Sequence, residues 1–312
     1  MTWAATAGPE AIEMVAQASS APFWLDRPDR PAARPRLTGM VDADLLVVGG
    51  GFTGLWTAVT AAERDPGRRV VLVERDRIAE HASGRNGGFC SASLTHGIGN
   101  GLTRFPDEMT RLSQLGSATL DEIEAALDRL GIDADAERTG ELDIANFDWQ
   151  IEDLAEMADQ ATLLGQQLSL LDESDARERV HSPMVRGAAF DPEVIMLDPA
   201  KLAWGLARAA ERLGVQIFEG TEVTALADDA GRMRADTAFG SVAADKVVLA
   251  TSASPSLVRR LRLYTVPVWD YALMTEPLSA DQRASLGWAG REGLADSGPR
   301  FHYFRLTADD RI

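Results

Sequence analysis

An apolar run, Leu45-Leu46-Val47-Val48, ends in Gly49-Gly50-Gly51-Phe52-Thr53-Gly54, and a stretch of helical character follows from Leu55 to Arg64. Pro66-Gly67 stops that helix, and a second apolar run, Val70-Val71-Leu72-Val73, closes on Glu74. Strand, glycine turn, helix, strand and acid in this order describe a βαβ unit that grips a dinucleotide. Gly49 permits the tight turn, Gly51 lets the backbone approach a pyrophosphate, and Gly54 lets helix and strand pack closely. The pyrophosphate is expected at the helix N-terminus, around Phe52 and Thr53, where unpaired N–H groups and the dipole favour negative charge. Glu74 is expected to accept hydrogen bonds from the adenosine ribose. Glycine-rich turns alone are common; the five features in register set this one apart from a merely structural turn.

At 312 residues the chain exceeds what one hydrophobic core usually holds, so two domains are expected. A net charge of −17 argues against nucleic acid, an anionic membrane surface or an acidic polymer as partner. Cys90 is the one cysteine, which rules out an internal disulfide and fits a reducing compartment. It reads as a small, partly buried residue rather than a nucleophile. The first residues lack a basic stretch followed by an apolar core, so no signal peptide is read. Glycines and the flanking Asp42 and Asp44 make residues 45–62 a strand, turn and helix rather than a membrane span. The expectation is a soluble, cytoplasmic protein. His81, His96, His181 and His302 show no metal-ligand spacing, and no metal is expected.

Before the βαβ unit, a short helix is predicted around Ala11–Ala18. Prolines 22, 28, 31 and 35 then impose an extended arm, expected to lie across the surface. Residues 77–101 are glycine-rich, polar and irregular, a texture that implies a bound partner for their backbone. Leu120, Ile123, Leu127 and Leu130, and Ile151, Leu154, Met157, Ala158, Ala161 and Leu164, mark two core helices, with a strand over Gly140–Phe147 between them. Asp198-Pro199 caps a further helix that ends at Gly214. From Gly214 a strand, a turn at Asp228–Gly231, a strand over Met233–Phe239 and another from Lys246 suggest a small antiparallel excursion before return to the parallel sheet. FAD-binding domains of the glutathione-reductase type are built so, whereas a nicotinamide domain continues with plain βα alternation. Val266–Thr275 and Phe301–Leu306 read as strands.

Phe23-Trp24-Leu25-Asp26, the Val47–Trp56 glycine motif, Ser83-Gly84-Arg85-Asn86-Gly87-Gly88, Leu197-Asp198-Pro199, Ala250-Thr251-Ser252-Ala253, Pro267-Val268-Trp269-Asp270-Tyr271 and His302-Tyr303-Phe304-Arg305 together resemble one family. It is the D-amino-acid oxidase/glycine oxidase (DAO) superfamily of FAD-dependent amine oxidoreductases, and within it the γ-glutamylputrescine oxidoreductase type. The resemblance implies an α/β fold in which a Rossmann-like FAD-binding domain carries an inserted α+β substrate domain. The expected division is an arm over 1–39, FAD domain over 40–98 and 172–255, and substrate domain over 99–171 and 256–312. Family members run on beyond the point where this chain stops. The Leu306–Ile312 stretch reads as a hairpin cut in its return strand, which suggests a fragment or a product of doubtful competence.

The implied reaction oxidises the C–N bond of an amine or amino acid to an imine by hydride transfer to flavin, with oxygen or another acceptor reoxidising it. The cofactor is FAD, held by Gly49, Gly51, Phe52, Thr53, Gly54, Glu74, Arg75, Ser83, Arg85, Asn86, Gly87, Val223 and Thr251. Arg75 lies over the adenine or is a solvated arginine; Val223 offers its backbone to the adenine edge or is an ordinary strand valine. Arg85, Tyr303 and Arg305 are the candidate catalytic groups. Arg85 faces the flavin or forms a plain loop salt bridge. His81 is a loop histidine more readily than a covalent flavin tether. Trp269, Tyr271 and His302 are expected to line the substrate, against the alternative of ordinary aromatic packing. Two rival readings stay open: a nicotinamide-dependent dehydrogenase, and a non-catalytic FAD-binding remnant.

Overall fold

The structure is a computed structural model that describes residues 8–19, 21–268, 270–297 and 302–312. Helix α1 (Pro9–Gln17) precedes the arm, and strand β1 (Gly39–Val48) leads through the glycine turn into α2 (Phe52–Arg64) and β2 (Val70–Val73). A 3₁₀ turn (Ala82–Gly84) and β3 (Phe89–Ser91) follow. Then come α3 (Ile98–Arg104), α4 (Met109–Leu130), β4 (Glu141–Ala145), α5 (Asp148–Leu163), β5 (Ser169–Leu171) and α6 (Glu173–Arg179). Next are β6 (Gly187–Asp191), β7 (Val194–Met196), α7 (Pro199–Arg212), β8 (Gln216–Phe218), β9 (Val223–Asp229), β10 (Arg232–Thr237) and β11 (Gly240–Leu249). A second 3₁₀ turn (Arg259–Leu261), helix α8 (Ala280–Leu286), β12 (Gly293–Asp296) and β13 (Tyr303–Phe304) complete the described elements.

A six-stranded sheet has the order β8-β2-β1-β11-β10-β9. Its first four strands are mutually parallel, while β9, β10 and β11 form an antiparallel meander. The excursion expected from residues 214–251 is therefore present. Its first turn is closed by Ala230 and Gly231, both at positive φ, the backbone that a two-residue hairpin needs. The central strands are apolar on both faces, as a covered parallel sheet requires. Leu45, Val47, Val70 and Leu72 pack with Leu55, Ala58 and Val59 of α2 and Leu202, Ala203 and Leu206 of α7. Leu46, Val48, Val71 and Val73 pack on the opposite side with Val223, Ala235, Val242 and Leu37.

The second sheet has the order β13-β12-β4-β6-β5. Strand β6 falls inside the 172–255 stretch assigned from sequence to the FAD domain, yet it hydrogen-bonds β4 and β5. Pairing thus carries the second sheet to Asp191, because β6 closes the ladder beside β4 rather than returning to the parallel sheet. Leu142, Leu294, Leu306, Val180 and Trp288 fill the core beneath one face.

Two expectations are corrected. Val266–Thr275 alternates like a strand, but none of its described residues lies in one, and Val266, Val268 and Leu273 are exposed. The arm does not merely cross the surface. Leu25 and Leu37 are fully buried, and Arg34 donates its backbone N–H to buried Glu219 at 2.5 Å while its guanidinium pairs with Glu211 at 2.6 Å. The prolines forbid helix, but the apolar residues between them supply part of the core.

Candidate functional site

The turn after β1 is shaped by close approach. Gly49 has φ +116°, and a Cβ there would overlap the Ala250 carbonyl oxygen at the end of β11. A Cβ on Gly54 would overlap the Gly49 carbonyl oxygen, so helix α2 sits as close to the strand as backbone allows. Helix α2 opens at Gly51 without a side-chain cap, which leaves its first amides for another acceptor. The Phe52 N–H donates to Ser83 Oγ at 3.1 Å, and Thr53 stands exposed on the first turn.

Glu74, buried at the end of β2, accepts the Gly50 N–H at 2.6 Å and the Asp76 N–H at 2.9 Å. Each carboxylate oxygen keeps a lone pair beyond the bond it accepts. The Thr221 N–H donates to the Glu74 carbonyl at 2.8 Å and lays the 221–223 backbone beside it, with Val223 opening β9. Thr251 adjoins Gly49 at the end of β11, and its carbonyl accepts the Ser254 N–H at 3.0 Å. An uncapped helix start, a left-handed glycine before it and a buried acid on the adjacent strand are the donor and acceptor set that a diphosphate and a ribose demand. The residues fit an adenine dinucleotide such as FAD.

Ser83–Gly88 is held by its own side chains. Asn86 Nδ2 donates to the Ala82 and Ser83 carbonyls, each at 3.0 Å, and Asn86 Oδ1 accepts the Gly88 N–H at 2.8 Å. Arg85 donates to the Glu80 carbonyl at 2.6 Å and pairs with its carboxylate at 3.4 Å, the loop ion pair that stood beside a flavin-facing role. Arg75 pairs with Asp76 at 2.8 Å and lies 2.9 Å from His81 Nε2; it is half exposed and solvated. Cys90, on β3, is partly buried, and burial pushes its thiol up.

The second sheet meets this loop. A Cβ on Gly87 would lie 2.7 Å from Tyr303 Cε2, and the Tyr303 ring packs edge-on against Phe89 at 5.5 Å. Arg305 donates to the Gly87 carbonyl at 3.2 Å and to the Leu197 carbonyl, and lies 5.4 Å from the Trp24 ring. Tyr303 and Arg305 thus share a face, as alternation predicts. Burial lowers the Arg305 pKa to about 10. Burial, and then a hydrogen bond to Asp270 at 3.1 Å, raises that of Tyr303.

Of the expected substrate residues, the two described ones, Tyr271 and His302, are not brought together. Trp269 lies outside the described residues. Tyr271 is 91% exposed, because the segment that carries it joins no ladder; its neighbour Asp270 is the residue that reaches Tyr303. His302 takes the opposite face from Tyr303, where it pairs with Asp296 at 2.8 Å and stacks on Phe304.

Sequence reasoning missed an acidic row on the same face as Tyr303. Tyr303 is in register with Ala295, Ala295 with Asp143, Gly293 with Glu141, and Glu141 with Asp191. A Cβ on Gly293 would run into Phe89, so this face looks toward the loop. Burial, then repulsion from Asp143 and Asp191, raises Glu141 to about 8; burial, then Asp191, raises Asp143 to about 6. The signal was the alternation Glu141-Leu142-Asp143-Ile144, which puts both acids on one face.

A nucleotide cradle on a parallel sheet, with a loop carried from it onto a second, mixed sheet, is the arrangement of a flavoprotein oxidoreductase, and residues 44–312 match the family model for DAO, FAD dependent oxidoreductase. The chain belongs to that enzyme family, whose cofactor is FAD. It is 33% identical to γ-glutamylputrescine oxidoreductase of Escherichia coli (strain K12), over 88% of this chain and 65% of that protein. It is 29% identical to the probable oxidoreductase OrdL of Haemophilus influenzae, over 93% of this chain and 68% of the relative. Among solved structures, glycine oxidase from Geobacillus kaustophilus matches with TM-score 0.69 and 22% identity, covering 87% of this chain and 70% of that one. The chain spans about two thirds of the length of the curated relatives it matches. Among the described residues, no helix is long and apolar enough to cross a membrane, and no group of three or more His, Cys, Asp or Glu is placed to hold a metal.

Proposed function

We propose that the chain is the FAD-binding and part of the substrate-binding portion of an oxidoreductase that oxidises the C–N bond of an amine or amino acid. The observation that carries this reading is the delivery of the Ser83–Gly88 loop from the mouth of the glycine turn to Tyr303. Ser83 touches the first amide of α2, and Gly87 touches the tyrosine ring, so one loop joins the diphosphate end to the substrate sheet. The meander of β9, β10 and β11 supports assignment to the glutathione-reductase type of FAD domain over a nicotinamide domain.

FAD, when bound, accepts the hydride from the carbon that bears the amine. Gly49, Gly51, Phe52, Thr53 and Gly54 hold its diphosphate, Glu74 its ribose, and Val223 and Thr251 flank the adenine and the turn. Arg85, paired with Glu80, and Tyr303, packed against Gly87, are the candidate groups at the loop that would lead to the reacting carbon. Asp143 and Asp191, beside a Glu141 whose raised pKa keeps it protonated at neutral pH, give the Tyr303 face of the second sheet an acidic lining, which suits an amine, of the kind that γ-glutamylputrescine oxidoreductase is named for, over a purely anionic substrate. Oxygen or another acceptor completes the turnover, and the compartment proposed is the cytoplasm.

The test is anaerobic addition of candidate amines to the purified yellow protein. Bleaching of the flavin by an amine, and none by carboxylic acids lacking nitrogen, is the expected result. A protein that binds FAD but is bleached by no amine would be the non-catalytic remnant.

A further inference from the structure

Two side chains from outside the nucleotide unit donate to successive carbonyls of the loop that joins the cradle to the second sheet. Trp24, on the N-terminal arm, donates its indole N–H to the Asn86 carbonyl at 3.0 Å. Arg305, just beyond β13, donates to the next carbonyl, that of Gly87, at 3.2 Å. The two side chains touch each other, with the guanidinium carbon 5.4 Å from the indole ring, close enough for cation–π attraction. Both are buried, at 8% and 9% exposure.

Arg305 forms no ion pair among the described residues. Its acceptors are main-chain carbonyls of Gly87 and Leu197. Both bonds leave from Nη1, while the buried Nε has no hydrogen-bond partner among the described residues; through Nη1 the guanidinium ties two stretches of backbone together. Neither residue belongs to the glycine turn, and they lie 281 positions apart in the chain, from Trp24 to Arg305.

We propose that Trp24 and Arg305 form a two-sided clamp that sets the peptide orientation at Asn86 and Gly87, and so couples the N-terminal arm to the geometry of the flavin loop. This rests on the reading that the loop faces FAD. Both are positioning residues: they act through the loop carbonyls and not on the substrate. With the clamp intact, the loop amides are preorganised; without it, cofactor binding must also order the loop.

The experiment compares Trp24→Phe, which keeps a ring and removes the donor, and Arg305→Lys, which keeps the charge and removes the Nη1 donor. A core control is Val59→Ala, from the same hydrophobic cluster as Trp24. FAD is titrated into each apoprotein, and the visible flavin spectrum and the unfolding midpoint are recorded. Trp24→Phe and Arg305→Lys are each expected to weaken FAD binding about ten-fold, the scale of one lost hydrogen bond, and to shift the flavin spectrum. Val59→Ala lowers the midpoint and leaves the spectrum unchanged. Wild-type FAD affinity and spectrum in both clamp variants would overturn the proposal and leave two packing residues. Failure of the unmodified protein to bind FAD would instead strike at the cofactor reading itself.

Discussion

Glu74 and Gly54 are recognisable from spacing because their tasks are local. An acid must end the strand after the helix, and a residue without Cβ must stand where helix meets turn. Gly54→Ala is expected to cost about 3 kcal/mol or more, since its Cβ would enter the Gly49 carbonyl and neither partner is a flexible side chain. Urea unfolding midpoints check this, with a parallel loss of bound FAD. Glu141 was passed over because its neighbours come from other strands. Its pKa is raised from 4.5 to about 8, so the folded state holds a proton that the unfolded chain releases. Stability therefore falls as pH rises from about 4.5 through about 8. Glu141→Gln should remove that slope and leave the protein about 1–2 kcal/mol more stable than the parent at pH 9, less than full linkage because water reaches the group. Denaturation curves between pH 5 and pH 9 decide it; an unchanged slope would mean that the acidic row is well solvated.

At the scale of elements, helix boundaries followed their caps. Asp198 accepts the Ala200 and Lys201 amides, each at 2.9 Å, and Pro199 takes the first helical position, as the sequence announces. Asp198 also binds Arg27 of the arm, a contact that no spacing reveals. Asp198→Ala should cost about 2 kcal/mol, the cap together with an arm arginine that loses one partner and keeps Asp29. Asp198→Asn, which retains an acceptor for the cap, should cost less; equal losses in thermal melts would assign the whole effect to the ion pair. Strands were harder to place than helices. Val266–Thr275 has strand alternation without a strand, and β5, β6 and β7 went unread because they are short and pair across distant sequence. A helix satisfies its own backbone, whereas a strand is defined by a neighbour.

Among the described residues the molecule has two large sheets, a two-stranded ribbon of β3 and β7, and the arm laced against them. The arm is threaded by ion pairs, Arg30 with Glu80 and Arg34 with Glu211, and by buried Leu25 and Leu37. Residues 259–262 carry three exposed arginines in and just after a short 3₁₀ turn that joins neither sheet. Brief tryptic digestion of the native protein should therefore cut first after Arg259, Arg260 or Arg262. First cleavage at Arg27, Arg30, Arg34 or Arg36 would show that the arm is not secured as described. The sequence by itself determined the nucleotide unit, the antiparallel meander, the core helices and the family, because these rest on contacts a few residues apart or on a motif continuous in the chain. Only the tertiary structure decided that Tyr303 shares a face with Glu141 and Asp143, and that Trp24 and Arg305 meet over one loop. Side-chain periodicity fixes which face a residue takes relative to its own strand, but which strand lies beside it is settled by packing across the whole chain.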